Sequence, residues 1–385
     1  MDRVRLAIIG AGNIATMHLP GYLADPRCDV VAVCEPNAEK GARKAAEWGI
    51  PKVYTDLAEC LADDDIDAVE ILTPTHLHKD HAIAAARAGK HISIQKPLAN
   101  SVADGREILE AVAKAGVLFR VFENCCGYEP LRKARELVLD GAIGAPVHVR
   151  IKTVTGWSES KFEAGLDPEG YIWRFNDDAP GGHLFDDIVH KFAMQYWLVD
   201  RDITRVSSVV KPGPLFFEPA AASFEYEGEG LLGNMEVSHA PDMYIESDGW
   251  SADEFFEIQG ESGYIWVTRL CARLTELPPV VLYDGQKRNH VTFDDVNPDY
   301  FRSFDNAAQD FIGAIVDGTT CDLSGELAVK VLQLCFATYQ ASMEGRTIDV
   351  ASVTDKVSPP WWPPTMEKLI ADSERENARR STPAR

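Results

Sequence analysis

Gly10-Ala11-Gly12-Asn13-Ile14-Ala15 stands between a β-branched apolar run and a helical pattern. In that context the glycines suit a diphosphate better than a plain turn. Gly10 permits the tight turn and Gly12 lets backbone approach the ligand closely. Ala15 lets helix and strand pack, and the N–H groups around Asn13 and Ile14 supply the positive end of the helix. Glu35 follows 23 residues after Gly12, at the end of the next apolar run. A carboxylate there accepts hydrogen bonds from ribose hydroxyls and repels a 2′-phosphate, which favours NAD over NADP. Lys40, Arg43 and Lys44 lie nearby and are read as solvated helix charges, the alternative being that they soften the preference.

Two further groups have the chemistry to act on a substrate. Lys96, in Gln95-Lys96-Pro97, ends an apolar run and is expected to project into the ligand crevice. An ammonium there stabilises the alkoxide character of an alcohol losing hydride, or polarises a carbonyl gaining one. Asp186 and His190 stand four apart in Gly181-Gly182-His183-Leu184-Phe185-Asp186-Asp187-Ile188-Val189-His190. On one continuous helix this spacing puts both side chains on one face. A carboxylate would then orient a substrate hydroxyl while an imidazole takes its proton. Thr73, Pro74, Thr75 and His78 follow another apolar run and are expected to touch the cofactor. His76, His78 and His81 read as cap or packing residues, so no metal is expected.

These residues need elements to hold them. Val4 to Ile9, Val30 to Cys34, Ala68 to Leu72, His91 to Ile94 and Leu118 to Phe122 read as strands separated by amphipathic helices. That alternation predicts a doubly wound parallel sheet with its crevice at the carboxyl ends of the strands. After Asn124 the pattern changes. A helix over Leu131 to Leu139 precedes strands at Val147 to Val154, Val206 to Val210, Ala221 to Tyr226, Leu231 to Ser238, Phe255 to Gly260 and Tyr264 to Thr268. Helices near Asp187 to Leu198, Phe301 to Asp317 and Gly325 to Glu344 are expected to cover the inner face of that sheet. The domains are therefore 1–124, an α/β Rossmann-type dinucleotide-binding domain, and 125–358, an α+β domain with a large, mainly antiparallel open sheet. A tail, 359–385, carries Pro359-Pro360-Trp361-Trp362-Pro363-Pro364, whose tryptophans are expected to anchor it on the surface. Residues past about Ser373 are read as frayed.

Composition limits the partners. Sixty acidic against 38 basic side chains give a net charge of −22, a field that repels nucleic acid and anionic lipid and mildly favours neutral ligands. No apolar run reaches the ~18 to 20 residues that cross a bilayer, and Met1-Asp2-Arg3 leads straight into a strand, so a cytoplasmic protein is expected. The eight cysteines include no CxxC pair and are read as reduced, mostly buried thiols.

Together these motifs resemble the Gfo/Idh/MocA family, which contains glucose-fructose oxidoreductase and inositol dehydrogenase. The resemblance runs from Gly10 to Ala15 through Thr73-Pro74, Ala88-Gly89-Lys90-His91, Gln95-Lys96-Pro97, Gly141-Ala142-Ile143-Gly144 and Asp186 to His190, and closes at Ser342-Met343-Glu344-Gly345-Arg346. It implies an NAD(H)-dependent oxidoreductase acting on a sugar-like or cyclitol-like substrate. Lys96 is then catalytic, the bond before Pro97 is cis, and Asp186 and His190 complete the substrate site. Trp173-Arg174 is similar to an aromatic-and-cation pair that some relatives use on a sugar, and His183 and Asp187 are secondary substrate candidates. A homodimer or homotetramer formed through the second sheet is also implied. The chain departs from the family pattern at Gln95, where the usual residue is Glu, and at Ile188, where many relatives carry Gly. Two rivals follow from other relatives: glycoside cleavage by transient hydroxyl oxidation, and a non-catalytic dinucleotide-binding sensor. Under the main reading, Lys96 and His190 flank one reacting carbon.

Overall fold

A computed structural model describes residues 3–175 and 178–380. The chain divides into two compact units. The first comprises Met1–Gly127, Asp167–Arg174 and Phe301–Leu332, and the second the remaining segments, Tyr128–Leu166, Phe175–Tyr300 and Gln333–Arg385.

In the first unit, β-branched runs form Val4–Ile9 (β1), Cys28–Cys34 (β2), Lys52–Tyr54 (β3), Ala68–Ile71 (β4), His91–Gln95 (β5) and Phe119–Phe122 (β6). They pair in parallel in the order β3-β2-β1-β4-β5-β6. This is the doubly wound sheet expected from the sequence. Strand β3, absent from the sequence reading, has three residues, none of them buried, so it carries too little apolar pattern to detect. Because every strand points the same way, the residues that follow β2, β4 and β5 end at one rim of the sheet.

Helix Arg302–Asp317 is not a cover for the second sheet. It belongs to the first unit and packs on helix Ala15–Ala24. Gly21 allows this approach, since a Cβ there would meet the Asp305 Cα at 2.6 Å and the Ala308 Cβ at 2.8 Å. Amphipathicity fixes which face of a helix is buried, not what it is buried against.

The second unit is built on a nine-stranded sheet, ordered β14-β13-β12-β11-β7-β10-β9-β8-β15. Its strands are Pro146–Trp157 (β7), Ile203–Val210 (β8), Ala220–Tyr226 (β9), Leu232–Tyr244 (β10), Ala252–Gly260 (β11), Gly263–Val267 (β12), Val280–Asp284 (β13), Asn289–Thr292 (β14) and Ile348–Asp349 (β15). All neighbouring pairs are antiparallel except β7 with β10. Strands β13 to β15 were not read from the sequence. Strand β14 is exposed at every residue and β15 has two residues, so neither shows an apolar alternation.

Two other expectations change. The helix expected over Asp187 to Leu198 is present as Val189–Trp197, but a separate short helix, His183–Asp186, precedes it, with Asp187 and Ile188 between them. The C-terminal segment is helical from Met366 to Arg380 rather than frayed past Ser373. There, Lys368 donates to Asp372 at 2.6 Å, and the Leu215 N–H donates to the same carboxylate at 2.9 Å.

Candidate functional site

The glycine turn is shaped as its sequence suggests. Gly10 has φ +96°, a region that L residues avoid. A Cβ there would lie 3.1 Å from the backbone of Leu72 at the end of β4. Above Gly12, by contrast, a Cβ would meet nothing within 4 Å. Backbone can therefore approach a ligand there, beside the positive end of the helix that opens at Ala15. Ala15 is fully buried under the helix. Glu35 follows β2 and is fixed by backbone: Oε2 accepts from Ala11 N–H at 3.1 Å and Oε1 from Asn37 N–H at 3.2 Å. Lys40 lies 3.3 Å from Oε2, so it pairs with the carboxylate rather than standing as a solvated helix charge. A carboxylate has about four acceptor positions, and room remains for ribose hydroxyls. The open ground over Gly12 and the fixed Glu35 fit a dinucleotide.

Asn13 has a second task. Its Nδ2 donates to Asp167 C=O at 2.8 Å, and its Oδ1 accepts from Asp167 N–H at 3.1 Å. This holds the segment Asp167–Arg174 in the first unit, and with it Trp173 and Arg174, whose guanidinium lies 4.6 Å over the Trp173 ring. Sequence order alone placed that pair in the second domain.

Thr73, Pro74 and Thr75 follow β4, and Thr73 Oγ1 lies 3.2 Å from His81 Nδ1. His78 is fully buried, with Nε2 at 2.9 Å from Thr73 C=O and Nδ1 at 2.9 Å from Pro97 C=O. It therefore ties the β4 exit to the β5 exit, with both nitrogens turned to protein carbonyls. Burial outweighs those two acceptors and pushes its pKa down to about 4. Lys96 follows β5, and its bond to Pro97 is cis. Glu35, Thr73 and Lys96 thus share the rim on which the glycine turn stands.

Beneath that rim lies a cluster that was only partly read from the sequence. Strand register lines up Glu70, Ser93 and Arg120 across β4, β5 and β6. Arg120 Nε donates to Ser93 Oγ at 3.0 Å, and Tyr22 OH donates to Glu70 Oε2 at 2.5 Å. His18 Nδ1 lies 2.8 Å from Glu70 Oε1. From its place early in the first helical pattern His18 reads as structural or cofactor-adjacent, whereas Glu70 and Arg120 were missed. The available signal was a charge inside each of two otherwise apolar strands.

In the second unit, His183 and Asp186 lie on the first of two short helices, His190 on the second and Asp187 between them, so Asp186 and His190 do not share a continuous turn. His183 Nε2 is 3.4 Å from Asp187 Oδ2, and the ring rests edge-on against Phe216 and Phe217. Glu218, also missed, organises this segment. It accepts from Leu184 N–H at 3.2 Å, Tyr339 OH at 2.6 Å and Trp361 Nε1 at 2.9 Å. Burial raises its pKa despite those donors. Gly181 and Gly182 fit because a Cβ at Gly181 would meet Tyr339 Oη at 2.7 Å, and one at Gly182 would meet Phe216 C=O at 2.8 Å. Trp362 is buried and donates to Ala179 C=O at 2.9 Å. The Trp-Pro segment therefore braces the glycine turn instead of resting on the surface. One helical step after His190, Lys191 pairs with Glu254 at 3.0 Å, both buried. Ile188 is fully buried, which accounts for an apolar residue there.

No helix among the described residues is long and apolar enough to cross a membrane. The profile of the family described as an oxidoreductase family with an NAD-binding Rossmann fold matches residues 4–123. The GFO/IDH/MocA C-terminal domain profile matches residues 131–266. A 1,5-anhydro-D-fructose reductase from Ensifer adhaerens is 27% identical over 355 residues, 90% of this chain and 98% of that protein. A D-apiose dehydrogenase from Paraburkholderia graminis is 26% identical over 375 residues, covering 92% and 91%. A solved structure of levoglucosan dehydrogenase with NADH and levoglucosan shares the fold, with a TM-score of 0.76 and 24% identity, covering 90% of this chain and 99% of that one.

Proposed function

Since the chain belongs to the Gfo/Idh/MocA family of NAD-binding oxidoreductases, we propose that it moves hydride between NAD and a secondary hydroxyl or keto carbon of a sugar, glycoside or cyclitol. Lys96, Asp186 and His190 are its catalytic residues in this reading. The observation that carries it is the shared rim of the parallel sheet, where Lys96 leaves β5 alongside the glycine turn, Glu35 and Thr73. The sugar-acting names of the two full-length relatives support the substrate class, and the acidic surface suits a neutral one.

The turn Gly10 to Ala15 and the N–H groups at the helix start hold the diphosphate, Glu35 the adenosine ribose, and Thr73, Pro74, Thr75 and Gln95 border the rest of the cofactor. NAD supplies the hydride acceptor when bound, or the donor when reduced. A ring nitrogen of His190 takes the proton of the reacting hydroxyl, and the Lys96 ammonium supports the negative charge left on that oxygen. Asp186 accepts a hydrogen bond from a neighbouring hydroxyl and so orients the sugar. Trp173 offers an aromatic face, and Arg174, His183 and Asp187 offer polar groups for the remaining hydroxyls. In the reductive direction His190 returns the proton and Lys96 polarises the carbonyl.

We place the reaction in the cytoplasm, on the reading of the cysteines, which include no CxxC pair, as reduced thiols. The chain forms a homodimer or homotetramer through the nine-stranded sheet, whose Tyr264 and Trp266 stack at 5.8 Å and are only half-buried. A screen of sugars, inositols and glycosides with NAD and NADP, read at the absorbance of reduced nicotinamide, identifies the substrate. On it, Lys96→Ala lowers kcat/KM by about 100-fold or more, and unchanged turnover removes Lys96 from the mechanism. Glycoside cleavage without net NADH release would replace dehydrogenation by an oxidation-assisted elimination.

A further inference from the structure

The buried cluster under Lys96 is not used by the proposed chemistry, yet it ends on that residue. Lys96 N–H donates to Gln95 Oε1 at 2.7 Å. This fixes the amide, because the opposite orientation would turn the Gln95 NH2 toward another donor. Gln95 Nε2 therefore faces His18 Nε2, at 3.3 Å, as the donor. His18 Nε2 must then be the acceptor, and the single ring proton sits on Nδ1, directed at Glu70 Oε1 at 2.8 Å.

We propose that His18 and Glu70 are positioning residues for Lys96, linked to it by a one-way chain of hydrogen bonds that runs from Lys96 N–H through Gln95 and neutral His18 to the Glu70 carboxylate. The proposal rests on the reading of Lys96 as catalytic. Each donor in the chain polarises the next, so the links strengthen one another. The residue type at 95 decides the state of the histidine. An amide donates to Nε2 and leaves His18 with one proton. A carboxylate there would face the Nε2 lone pair with two acceptors, and His18 would take a second proton between two carboxylates. The amide at 95 thus keeps the Lys96 backbone anchored by a chain in which His18 carries a single proton.

The surroundings agree. His18 is fully buried and stacks on Phe122 at 3.7 Å, with Phe304 at 5.4 Å. The charged or titratable groups acting on it are Glu70 from β4, Lys96 past the end of β5 and Arg120 from β6, and Tyr22 on its own helix binds Glu70 and Arg120. Burial, Arg120 and Lys96 lower its pKa against the pull of Glu70. Burial opposes the Glu70 carboxylate, but the hydrogen bond from His18 and the Arg120 charge leave its pKa below the ordinary value.

The test is a ¹⁵N NMR titration of histidine side chains in the ligand-free protein from pH 5 to 8, with the His18 resonance assigned by mutation. Wild type shows a neutral ring protonated on Nδ1 at pH 7, the pH at which each outcome is read. An imidazolium, or the Nε2-protonated tautomer, overturns the proposal. Gln95→Glu shows an imidazolium at pH 7, and an unchanged His18 spectrum there overturns it. His18→Phe keeps the ring packing but breaks the chain, and lowers kcat about 10-fold with KM for NAD within about two-fold. His18→Gln, which can both accept and donate, restores most of kcat. Wild-type kcat in His18→Phe ends the positioning role. Failure of the underlying reading looks different, because Lys96→Ala would be fully active while the wild-type His18 spectrum stayed as expected.

Discussion

In the six-stranded sheet every strand runs the same way, and the residues after β2, β4 and β5 reach one rim whatever their sequence separation. In the nine-stranded sheet most neighbours run in opposite directions, so successive strand ends alternate between rims and no rim collects them. There, the candidate groups come instead from two short helices after a glycine pair. The buried charges differ in the same way. In the first unit strand register lines up Glu70, Ser93 and Arg120, and His18 and Tyr22 from helix Ala15–Ala24 complete the network. In the second, Lys191 and Glu254 form a pair across a helix and a strand. A network shares the cost of burying its members, whereas a pair depends on each partner.

The largest test of that contrast is Lys191→Met. It leaves the Glu254 carboxyl, whose pKa burial already raises, without its cation, and is expected to cost roughly 3 to 5 kcal/mol in urea unfolding. Lys191→Met with Glu254→Leu should recover most of the loss. A single variant as stable as wild type would show that the pair is dispensable.

His78 provides a pH test in the first unit. Its folded pKa, pushed down to about 4 by burial, lies below the ordinary ~6.5, so the unfolded chain binds the proton more tightly. Stability is therefore full above about pH 6.5, falls as pH drops toward 4, and loses roughly 3 kcal/mol from this group in all. Urea midpoints at pH 7 and 4.5 should differ more in wild type than in His78→Gln, and equal differences would discount the buried ring.

Gly21→Ala asks whether helix Arg302–Asp317 must pack where it does. The new Cβ would lie 2.6 Å from the Asp305 Cα, and a loss of about 1 to 3 kcal/mol is expected by thermal unfolding. No loss would mean that the two helices separate freely. The smallest effect concerns the rim itself. Glu35→Ala should raise KM for NAD about 10-fold and narrow the preference over NADP. Unchanged constants for both cofactors would remove Glu35 from ribose recognition.

The rim was legible because its parts are local. A glycine turn, a carboxylate after the next strand and a Lys-Pro after another each announce themselves within a few residues, and parallel topology gathers them. Glu70 and Arg120 were hidden, since a lone charge in an apolar strand does not name its partner. Glu218 was hidden for the same reason, and its three donors come from residues 184, 339 and 361.

The amino-acid order by itself determined the class of each sheet, the dinucleotide turn and the candidate lysine, because alternation, helical period and glycine conformation act over short stretches of chain. The tertiary structure alone decided that Arg302–Asp317 packs in the first unit, that Asn13 brings Asp167–Arg174 there too, and that Gln95 completes a path from Lys96 to Glu70. Those outcomes depend on hydrogen-bond direction and on the volume of single side chains between distant segments, and no periodicity records either.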